Sequence, residues 1–216
     1  MLLKCYSAAL IGIHAELVTI EMHAVSGSDF SLVGLPDNAV KESHDRIRAA
    51  MAVNGYKFPI KQLTVNMAPA DLKKEGSAYD LPLAIGILAV TEQIHTARLG
   101  QFLLVGELSL DGTLQPIHGA LPIALMAKQQ DFRGIILPAA NAREAAVVEG
   151  IDVYGMDCLL DVVRFMEGEY EMEPTHIDMN VELHNNAFAS DIDFSDVRGQ
   201  ENVRRAMEVA AAGGHN

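Results

Sequence analysis

Cysteine, tryptophan and long apolar runs are scarce or missing in this 216-residue sequence, and each scarcity excludes a class of protein. The two cysteines, Cys5 and Cys158, lie far apart without neighbouring ligands. They predict reduced, buried thiols rather than a disulfide or a zinc site. No apolar run approaches the ~18–20 residues of a membrane-spanning helix, and the start MLLKCYSAAL is too short and strand-like for a secretory signal. We therefore expect a cytoplasmic protein without a membrane partner.

Sequence signatures of metal and nucleotide binding are also missing. The eight histidines form no i,i+4 pair, and none has a cysteine or carboxylate at the spacing of a zinc site. No G-x-x-x-x-G-K-[ST] loop occurs, so this chain alone is not expected to hydrolyse ATP. The sequence predicts no metal site and no cofactor within these residues.

Basic residues are missing from one long stretch, which accounts for much of the net charge of −13. Between Phe165 and Val197 there are nine acidic residues and no Lys or Arg. The other 20 acidic residues only slightly outnumber the 16 basic ones. Neither part has the basic face of a primary nucleic-acid binder. We expect residues 1–168 alone to bind DNA weakly at best, since phosphate binding relies on Lys and Arg.

Hydrophobic periodicity predicts strands that cluster early and alternate with helices later, which indicates an α+β or mixed α/β layout with helices packed on a sheet. Strands are predicted over residues 3–10, 15–25, 30–35, 61–68, 102–110, 113–117, 134–137 and 151–154. Helices are predicted between Pro36 and Gly55 and over 81–90, 121–130, 141–149 and 159–166. Pro36 is placed in a first helical turn, Asp111-Gly112 in a hairpin turn, and Asn141 with Glu144 in a near capping box.

Periodicity stops after Gly168. Residues 169–193 are predicted to be a flexible acidic linker. Order resumes with Gly199-Gln200 and a helix that carries Val203, Ala206, Met207 and Ala210 on one face. This last piece is too short for a domain and is interpreted as the start of one.

The stretch PADLKKEGSAYDLPLAIGIL, residues 69–88, is the candidate site of chemistry. Ser77 lies in a small-residue turn before a helix, where backbone N–H groups can stabilise an oxyanion, and Lys73 or Lys74 is close enough in sequence to act as its base. The competing interpretation is structural: Ser77 caps the helix together with Asp80, and the lysines are solvated. The structural interpretation is favoured.

Four longer strings resemble one family. VGLPDNAVKESHDRIRAA, VNMAPADLKKEGSAYDLPLAIGIL, VGELSLDGTLQPIHGALPIA and ILPAANAREAA are similar to the amino-terminal half of the YifB/ComM proteins, which are magnesium chelatase-like AAA+ ATPases. The resemblance covers residues 1–168. DVRGQENVRRAMEVAAAGGHN is similar to the segment that leads into the AAA+ module of the same proteins.

That resemblance implies three parts. Residues 1–168 are a Lon-protease-like, ChlI-type domain of the ribosomal S5 domain 2-like fold, residues 169–193 are the acidic linker, and residues 194–216 begin an AAA+ module just before its Walker A loop. In the full-length protein it implies bound ATP and Mg²⁺, with Val197, Gly199 and Gln200 on the adenine side. It also implies a hexamer that acts on branched or single-stranded DNA, with ATP-driven branch migration in natural transformation and recombination.

A comparison with Lon-type peptidases bears on the catalytic hypothesis. Those enzymes have G-P-S-A-G in the region similar to EGSAYDLPLAI, with the nucleophilic serine in the middle. With Gly76 on the first glycine, Ala78 takes the serine position and Ser77 falls one residue early. The position of the lysine partner falls on Leu121, followed by Pro122. The resemblance therefore implies no catalytic residue in this domain.

The sequence leaves three hypotheses for the function. The first is a non-catalytic domain of a DNA helicase or branch-migration motor, with Lys73 and Lys74 as a DNA or partner contact. The second is a Lon-type serine peptidase that uses Ser77 with Lys73 or Lys74. The third is a magnesium chelatase-like ATPase subunit.

Overall fold

The computed structural model describes residues 2–95, 97–177 and 199–214. The chain divides into a first compact unit that ends at Ile177 and a second that begins at Asp178. Each unit is described by itself.

A seven-stranded mixed sheet forms the centre of the first unit, and its strands run in the order β3-β4-β2-β1-β5-β8-β9. Neighbours β1–β2 and β2–β4 are antiparallel, and the other pairs are parallel. A separate antiparallel pair, β6–β7, forms a small hairpin. The strands are β1 Leu2–Ile11, β2 His14–Val25, β3 Phe30–Val33, β4 Gln62–Ala68, β5 Phe102–Leu104, β6 Glu107–Leu108, β7 Leu114–Gln115, β8 Gly134–Pro138 and β9 Asp152–Met156.

Helices cover both faces of the sheet, because successive side chains of a strand point to opposite sides. Ile136 faces one core, which it shares with α1, α2 and α5, whereas Ile135 faces a second core, which it shares with α3 and α4. The helices are α1 Asn38–Val53, α2 Asp80–Val90, α3 Ala120–Gln129, α4 Ala139–Ala145 and α5 Leu159–Glu167. Every residue of α2 is buried, which explains why this helix carries no charge after Asp80. The predicted arrangement of helices on a mixed sheet is confirmed.

The predicted strand over 102–110 is split in two, because Gly106 leaves the main sheet. Its amide donates to the Ala78 carbonyl (2.8 Å), and its carbonyl accepts from the Leu81 amide (3.0 Å). The chain therefore turns from β5 toward the start of α2 before it enters the β6–β7 hairpin. The hairpin around Asp111-Gly112 is confirmed.

Two predicted helix starts are wrong. Asn38 begins α1, and Asp37 rather than Pro36 marks its start: the Asp37 carboxylate accepts a hydrogen bond from the Val40 amide. Helix α4 begins at Ala139, so Asn141 lies inside the helix and not at its N-cap. Pro36 lies before the N-cap Asp37 and is therefore outside the first turn of α1. The side chain of Asn141 bonds to the distant Ile117 instead of capping α4.

Both cysteines are free thiols. Cys5 is fully buried beneath α2, with its sulfur 3.5 Å from the Pro82 carbonyl oxygen, and burial raises the pKa of its thiol to about 12. Cys158 is half-buried, and its thiol donates to the Asp161 carboxylate over 3.1 Å.

Residues 169–177, the first part of the predicted linker, belong to the first unit. Tyr170 and Met172 pack against its core, and the Thr175 amide donates to the Val153 carbonyl over 2.7 Å. Residues 178–193 of the predicted linker lie outside the described residues, and the boundary at 168 stays a prediction.

The described part of the second unit is one helix, α6 Glu201–Ala212, in which no residue is buried. Among the residues that the structure describes, no helix is both long and apolar enough to cross a membrane.

Gly34, directly after β3, is required by two independent constraints. Its φ of +102° is rarely adopted by residues with a side chain, and an added Cβ would lie 2.1 Å from the Met67 carbonyl oxygen in β4. We expect Gly34→Ala to lower the free energy of unfolding by at least about 2 kcal/mol, since backbone strain and overpacking each cost ~1–3 kcal/mol. Urea unfolding followed by circular dichroism measures this.

The matched control is Gly100→Ala. Gly100 has no positive φ, and no atom outside its chain neighbours lies within 4 Å of an added Cβ. We expect a change within about 0.5 kcal/mol. Equal losses in the two variants would contradict the special role of Gly34.

Candidate functional site

The loop between β4 and α2, residues 69–79, is named here the β4–α2 loop, and it is fastened to the segment before α1. The Lys74 amide donates to the Leu35 carbonyl (3.2 Å), and the Lys74 carbonyl accepts from the Asp37 amide (3.0 Å). The Asp37 carboxylate then acts twice. One oxygen accepts from the Val40 amide at 2.8 Å and the other from the Gly76 amide at 3.1 Å. One acidic side chain thus fixes both the start of α1 and the turn of the loop.

The two lysines of the loop have different environments. Lys74 is 0% exposed, and its ammonium donates to the Pro69 carbonyl. Burial lowers the pKa of Lys74, and the nearby Asp71 carboxylate opposes that effect. Lys73 is exposed and pairs with Glu75, and this hydrogen bond raises the pKa of Lys73. The predicted DNA or partner contact therefore remains a proposal for Lys73, whereas the ammonium of Lys74 is enclosed.

Ser77 forms no hydrogen bond with either lysine of the loop. Its hydroxyl donates to the Glu107 carboxylate at the start of β6. Helix α2 has Tyr79 at its N-cap position and no side-chain cap. The predicted capping of this helix by Ser77 and Asp80 is therefore wrong, and the Ser77–lysine pair of the peptidase hypothesis is not assembled in this structure.

A cavity of about 150 Å³ lies beside Ala78. Ala9 and Leu10 of β1, Lys73 and Tyr79 of the loop, and His118 ahead of α3 also line it. Ala78 presents a methyl group at the position where the resemblance to Lon-type peptidases places the nucleophile. Ser77 is not among the residues that line this cavity.

The segment that carries His118 is held by the side chain of Asn141, whose amide group forms the pair of hydrogen bonds that a neighbouring strand would form. The Asn141 amide group donates to the Ile117 carbonyl over 2.9 Å and accepts from the Ile117 amide over 2.8 Å. The Glu144 carboxylate accepts from the Leu121 amide in the first turn of α3, over 3.0 Å. In place of the predicted capping box, Asn141 and Glu144 make three hydrogen bonds to the segment around the cavity. Leu121, at the lysine position of the resemblance, is 36% exposed.

An ion pair beneath the loop connects three elements. The fully buried Asp80 carboxylate at the start of α2 accepts from Arg46 Nε at 2.7 Å and Nη2 at 2.9 Å, and from the Leu108 amide of β6 at 3.2 Å. Arg46 Nη2 also donates to the Ala39 carbonyl over 3.0 Å. Such two-pronged Arg–carboxylate pairs fix geometry as well as charge. They join α1, α2 and the hairpin at one point.

Burial raises the pKa of Asp80, and the hydrogen bonds from Arg46 and from the Leu108 amide oppose that effect. The hydrogen bond to Asp80 raises the pKa of Arg46. A guanidinium keeps its proton in proteins, so Arg46 needs the Asp80 carboxylate as its counter-charge.

Sequence reasoning missed Arg46, Glu107 and Asp37 as partners. Each bonds across 30 to 39 residues, to Asp80, Ser77 and Gly76 respectively. Local periodicity assigns Arg46 to the exposed face of α1, and no short-range pattern marks such long-range bonds.

The remaining predicted site residues lie in the second unit. Val197 is outside the described residues. Gly199 has a φ of +76°, and Gln200 is the N-cap of α6 with a φ of 50°. Their predicted place beside an adenine ring stays a prediction. Among residues 2–95, 97–177 and 199–214, no three His, Cys, Asp or Glu side chains form a group that could hold a metal ion.

Two family profiles match this chain. "Subunit ChlI of Mg-chelatase" matches residues 20–141, and "Magnesium chelatase, subunit ChlI" matches residues 193–216.

Curated proteins of similar sequence extend over nearly the whole chain. The competence protein ComM of Haemophilus influenzae is 43% identical over 212 residues, which cover 98% of this chain and 42% of that protein. The YifB protein of Escherichia coli strain K12 is 40% identical over 215 residues, which cover 98% of this chain and 41% of that protein. The chain therefore spans less than half the length of these relatives.

A more distant relative supports the Lon-like fold. Lon protease 2 of Bacillus subtilis is 24% identical over 145 residues, which cover 66% of this chain and 26% of that protein. The predicted Lon-like fold is confirmed at this level.

The Asp80–Arg46 pair generates a stability prediction. Asp80→Asn removes the counter-charge of a half-buried guanidinium, and we expect a loss of about 2–4 kcal/mol. The loss should lie at or below the ~3–5 kcal/mol of a fully buried pair, because Arg46 keeps 22% of its side chain exposed. Urea unfolding measures the loss.

Glu21→Gln is the matched control for that prediction. It breaks an ion pair of similar length, Lys4–Glu21 at 2.9 Å, on the protein surface, where both side chains remain hydrated. We expect a much smaller effect there. If the two substitutions cost the same, the buried pair does not organise the site.

Proposed function

Because this chain belongs to the YifB/ComM family of magnesium chelatase-like proteins, we propose that it is the amino-terminal, non-catalytic part of a hexameric, ATP-driven DNA motor. In this proposal residues 1–168 form the Lon-like domain, residues 169–193 link it to the ring, and residues 194–216 begin the AAA+ module. The Lon-like domain supports assembly of the ring and its engagement with DNA.

The match of a second ChlI profile to residues 193–216 supports the proposed start of the ATPase module. ATP and Mg²⁺ would bind to the rest of the full-length protein, with Val197, Gly199 and Gln200 on the adenine side. The chain's own residues would serve as the lead-in to that site and supply no catalytic group.

The non-catalytic assignment rests on one observation: the backbone of the β4–α2 loop is held in place, but the nucleophile and base of a Lon-type peptidase are absent from their positions. Ala78 lines the cavity at the position where the nucleophile of a Lon-type peptidase would stand. The Ser77 hydroxyl donates its hydrogen bond to the Glu107 carboxylate. Asp37 and Asp80 hold the surrounding backbone in place. The frame is retained without a nucleophile–base pair, which fits a scaffold.

The DNA part of the proposal is what the resemblance to the YifB/ComM family implies, and one relative, 43% identical, is named a competence protein. We propose ATP-driven branch migration of DNA in natural transformation and recombination, in the cytoplasm and without a membrane partner. Branched or single-stranded DNA is the proposed substrate. Lys73 is the exposed cation of the β4–α2 loop and its proposed contact.

The test is made on the full-length protein that contains this chain. We expect ATP hydrolysis that rises when forked or four-way DNA is added, hexamers by mass photometry in the presence of ATP, and movement of the branch point in a gel assay. Reactions without nucleotide and without DNA are the controls. Full-length protein that is inert on forked and four-way substrates would overturn the proposal.

A magnesium chelatase-type ATPase is the alternative carried by the names of the matched families. The same experiment separates the two, because an ATPase that serves metal insertion has no reason to respond to branched DNA. Charge reversal by Lys73→Glu should weaken DNA binding of the full-length protein. Unchanged DNA binding would show that Lys73 is a solvated side chain and not a DNA contact.

The peptidase hypothesis receives its own test. We expect no peptide release from an unstructured protein such as casein by this chain, by Ser77→Ala or by Ala78→Ser, because Ser77 is bonded to Glu107 and Leu121 stands at the lysine position. Mass spectrometry of the reaction detects any peptide. Cleavage by the unmodified chain that Ser77→Ala abolishes would refute the scaffold.

A further inference from the structure

A second concave site lies away from the cavity beside Ala78. It is an open groove of about 510 Å³ between α1, the start of β3 and the segment that leads into β4, and we name it the α1 groove. Its principal lining residues are Phe30, Lys41, His44, Arg48, Phe58 and Lys61. The two concave sites have no lining residue in common.

Three exposed cations line the α1 groove. Lys41 and Arg48 are seven residues apart on α1, so they lie on one face about 10.5 Å apart along the axis, at ~1.5 Å per residue. Lys61 reaches the groove from the segment before β4. Within the described residues none of the three forms an ion pair with a carboxylate. Asp29 is the carboxylate among the lining residues and Asp45 contacts His44 from outside, so the three cations outnumber these two carboxylates.

The floor of the α1 groove is aromatic. The His44 ring lies between Phe30 and Phe58, with ring centroids 5.0 and 4.9 Å away, and the two phenylalanines are 6.2 Å apart. All three rings are half-buried, so part of each remains available to a ligand. His44 is also oriented from outside by Asp45, whose carboxylate is 3.1 Å from its Nδ1. Ile60, 89% exposed, extends the apolar surface.

This combination narrows the class of ligand. A cationic rim alone attracts any polyanion, but an aromatic floor adds affinity only where the anion carries flat, unstacked rings. Bases in a duplex are stacked on each other and cannot cover the floor, whereas those of a single strand can. The volume of the groove is within the ~300–1,000 Å³ of pockets that hold small-molecule ligands.

We propose that the α1 groove binds single-stranded nucleic acid, with phosphates at Lys41, Arg48 and Lys61 and a base against the Phe58–His44 surface. For its DNA substrate the inference rests on the proposed function, which it deepens by naming a contact surface on the Lon-like domain. Binding by one groove is weak, in keeping with the mildly acidic composition of the domain.

The rim is tested with the 216-residue chain and a fluorescein-labelled oligothymidylate by fluorescence anisotropy. We expect the double variant Lys41→Glu/Arg48→Glu to bind at least about tenfold more weakly. Lys41→Gln should lower the slope of log K against log salt by ~0.7, the value for one phosphate contact on a single strand. Lys128→Glu is the matched control on α3, across the sheet, and should change affinity by less than about twofold. Equal losses for the groove and control variants would overturn the proposal.

The floor is tested with Phe58→Leu, which keeps an apolar side chain but removes the ring face. We expect oligothymidylate affinity to fall by roughly fivefold or more, because stacking contributes ~1–3 kcal/mol per base, while the salt slope stays unchanged. An abasic oligonucleotide has no bases to stack, so it should bind the unmodified chain and the Phe58→Leu variant equally. If Phe58→Leu weakens both oligonucleotides alike, or if poly-glutamate competes as well as oligothymidylate, the groove is not a nucleic-acid site. Circular dichroism melts confirm that each variant is folded.

The full-length protein separates this inference from the proposed function. DNA-stimulated ATPase activity that the Lys41→Glu/Arg48→Glu variant retains in full, with unchanged DNA affinity, would refute the groove but leave the motor intact. Absence of DNA stimulation in the unmodified protein would refute the motor, while oligothymidylate binding by this chain would still decide the groove.

Discussion

The buried ion pair of Asp80 and Arg46 is the constraint on which the candidate site depends. Removing a carboxylate from water is costly unless a counter-charge and hydrogen bonds replace the water, and Asp80 receives three such bonds from Arg46 and the Leu108 amide. The partners come from α1 and from the hairpin, so α2 can enter the core only with both in place. The β4–α2 loop is bracketed by this pair on one side and by the Asp37 bonds on the other.

This frame explains how the loop can keep its shape without a reacting group. A nucleophile at position 78 would be held by the same backbone bonds that hold Ala78, namely those of Gly106 to the Ala78 carbonyl and to the Leu81 amide. None of them depends on the side chain at 78. The neighbouring hydroxyl of Ser77 is bound to Glu107, so it serves as a link between the loop and β6. The shape of the loop depends on backbone atoms, whereas a nucleophile would be a side-chain atom, so one can be lost without the other.

Features that depend on one local stretch of sequence are predicted correctly. Features that depend on contacts between two distant segments are not. The alternation of β1 and β2, the hairpin at Asp111-Gly112 and the uncharged α2 are local patterns, and the structure contains all three. Asn141 was misassigned because its amide fits an N-cap as well as it fits the backbone of Ile117, and only the fold decides between them. The sequence predicts a solvated Lys74 for the same reason, because nothing in KKEGS reveals which lysine the loop encloses.

The α1 groove shows why composition is a weak guide to local electrostatics. The net charge of −13 describes the whole chain, but at physiological salt a bound phosphate senses charges within about 8 Å, the Debye length. Helical spacing places Lys41 and Arg48 on one face of α1, and Lys61 joins them only through the fold. Three cations give one groove little affinity. In the proposed ring, copies of the groove along one strand would add avidity without any new contact. The proposed DNA motor therefore does not require a strongly basic domain.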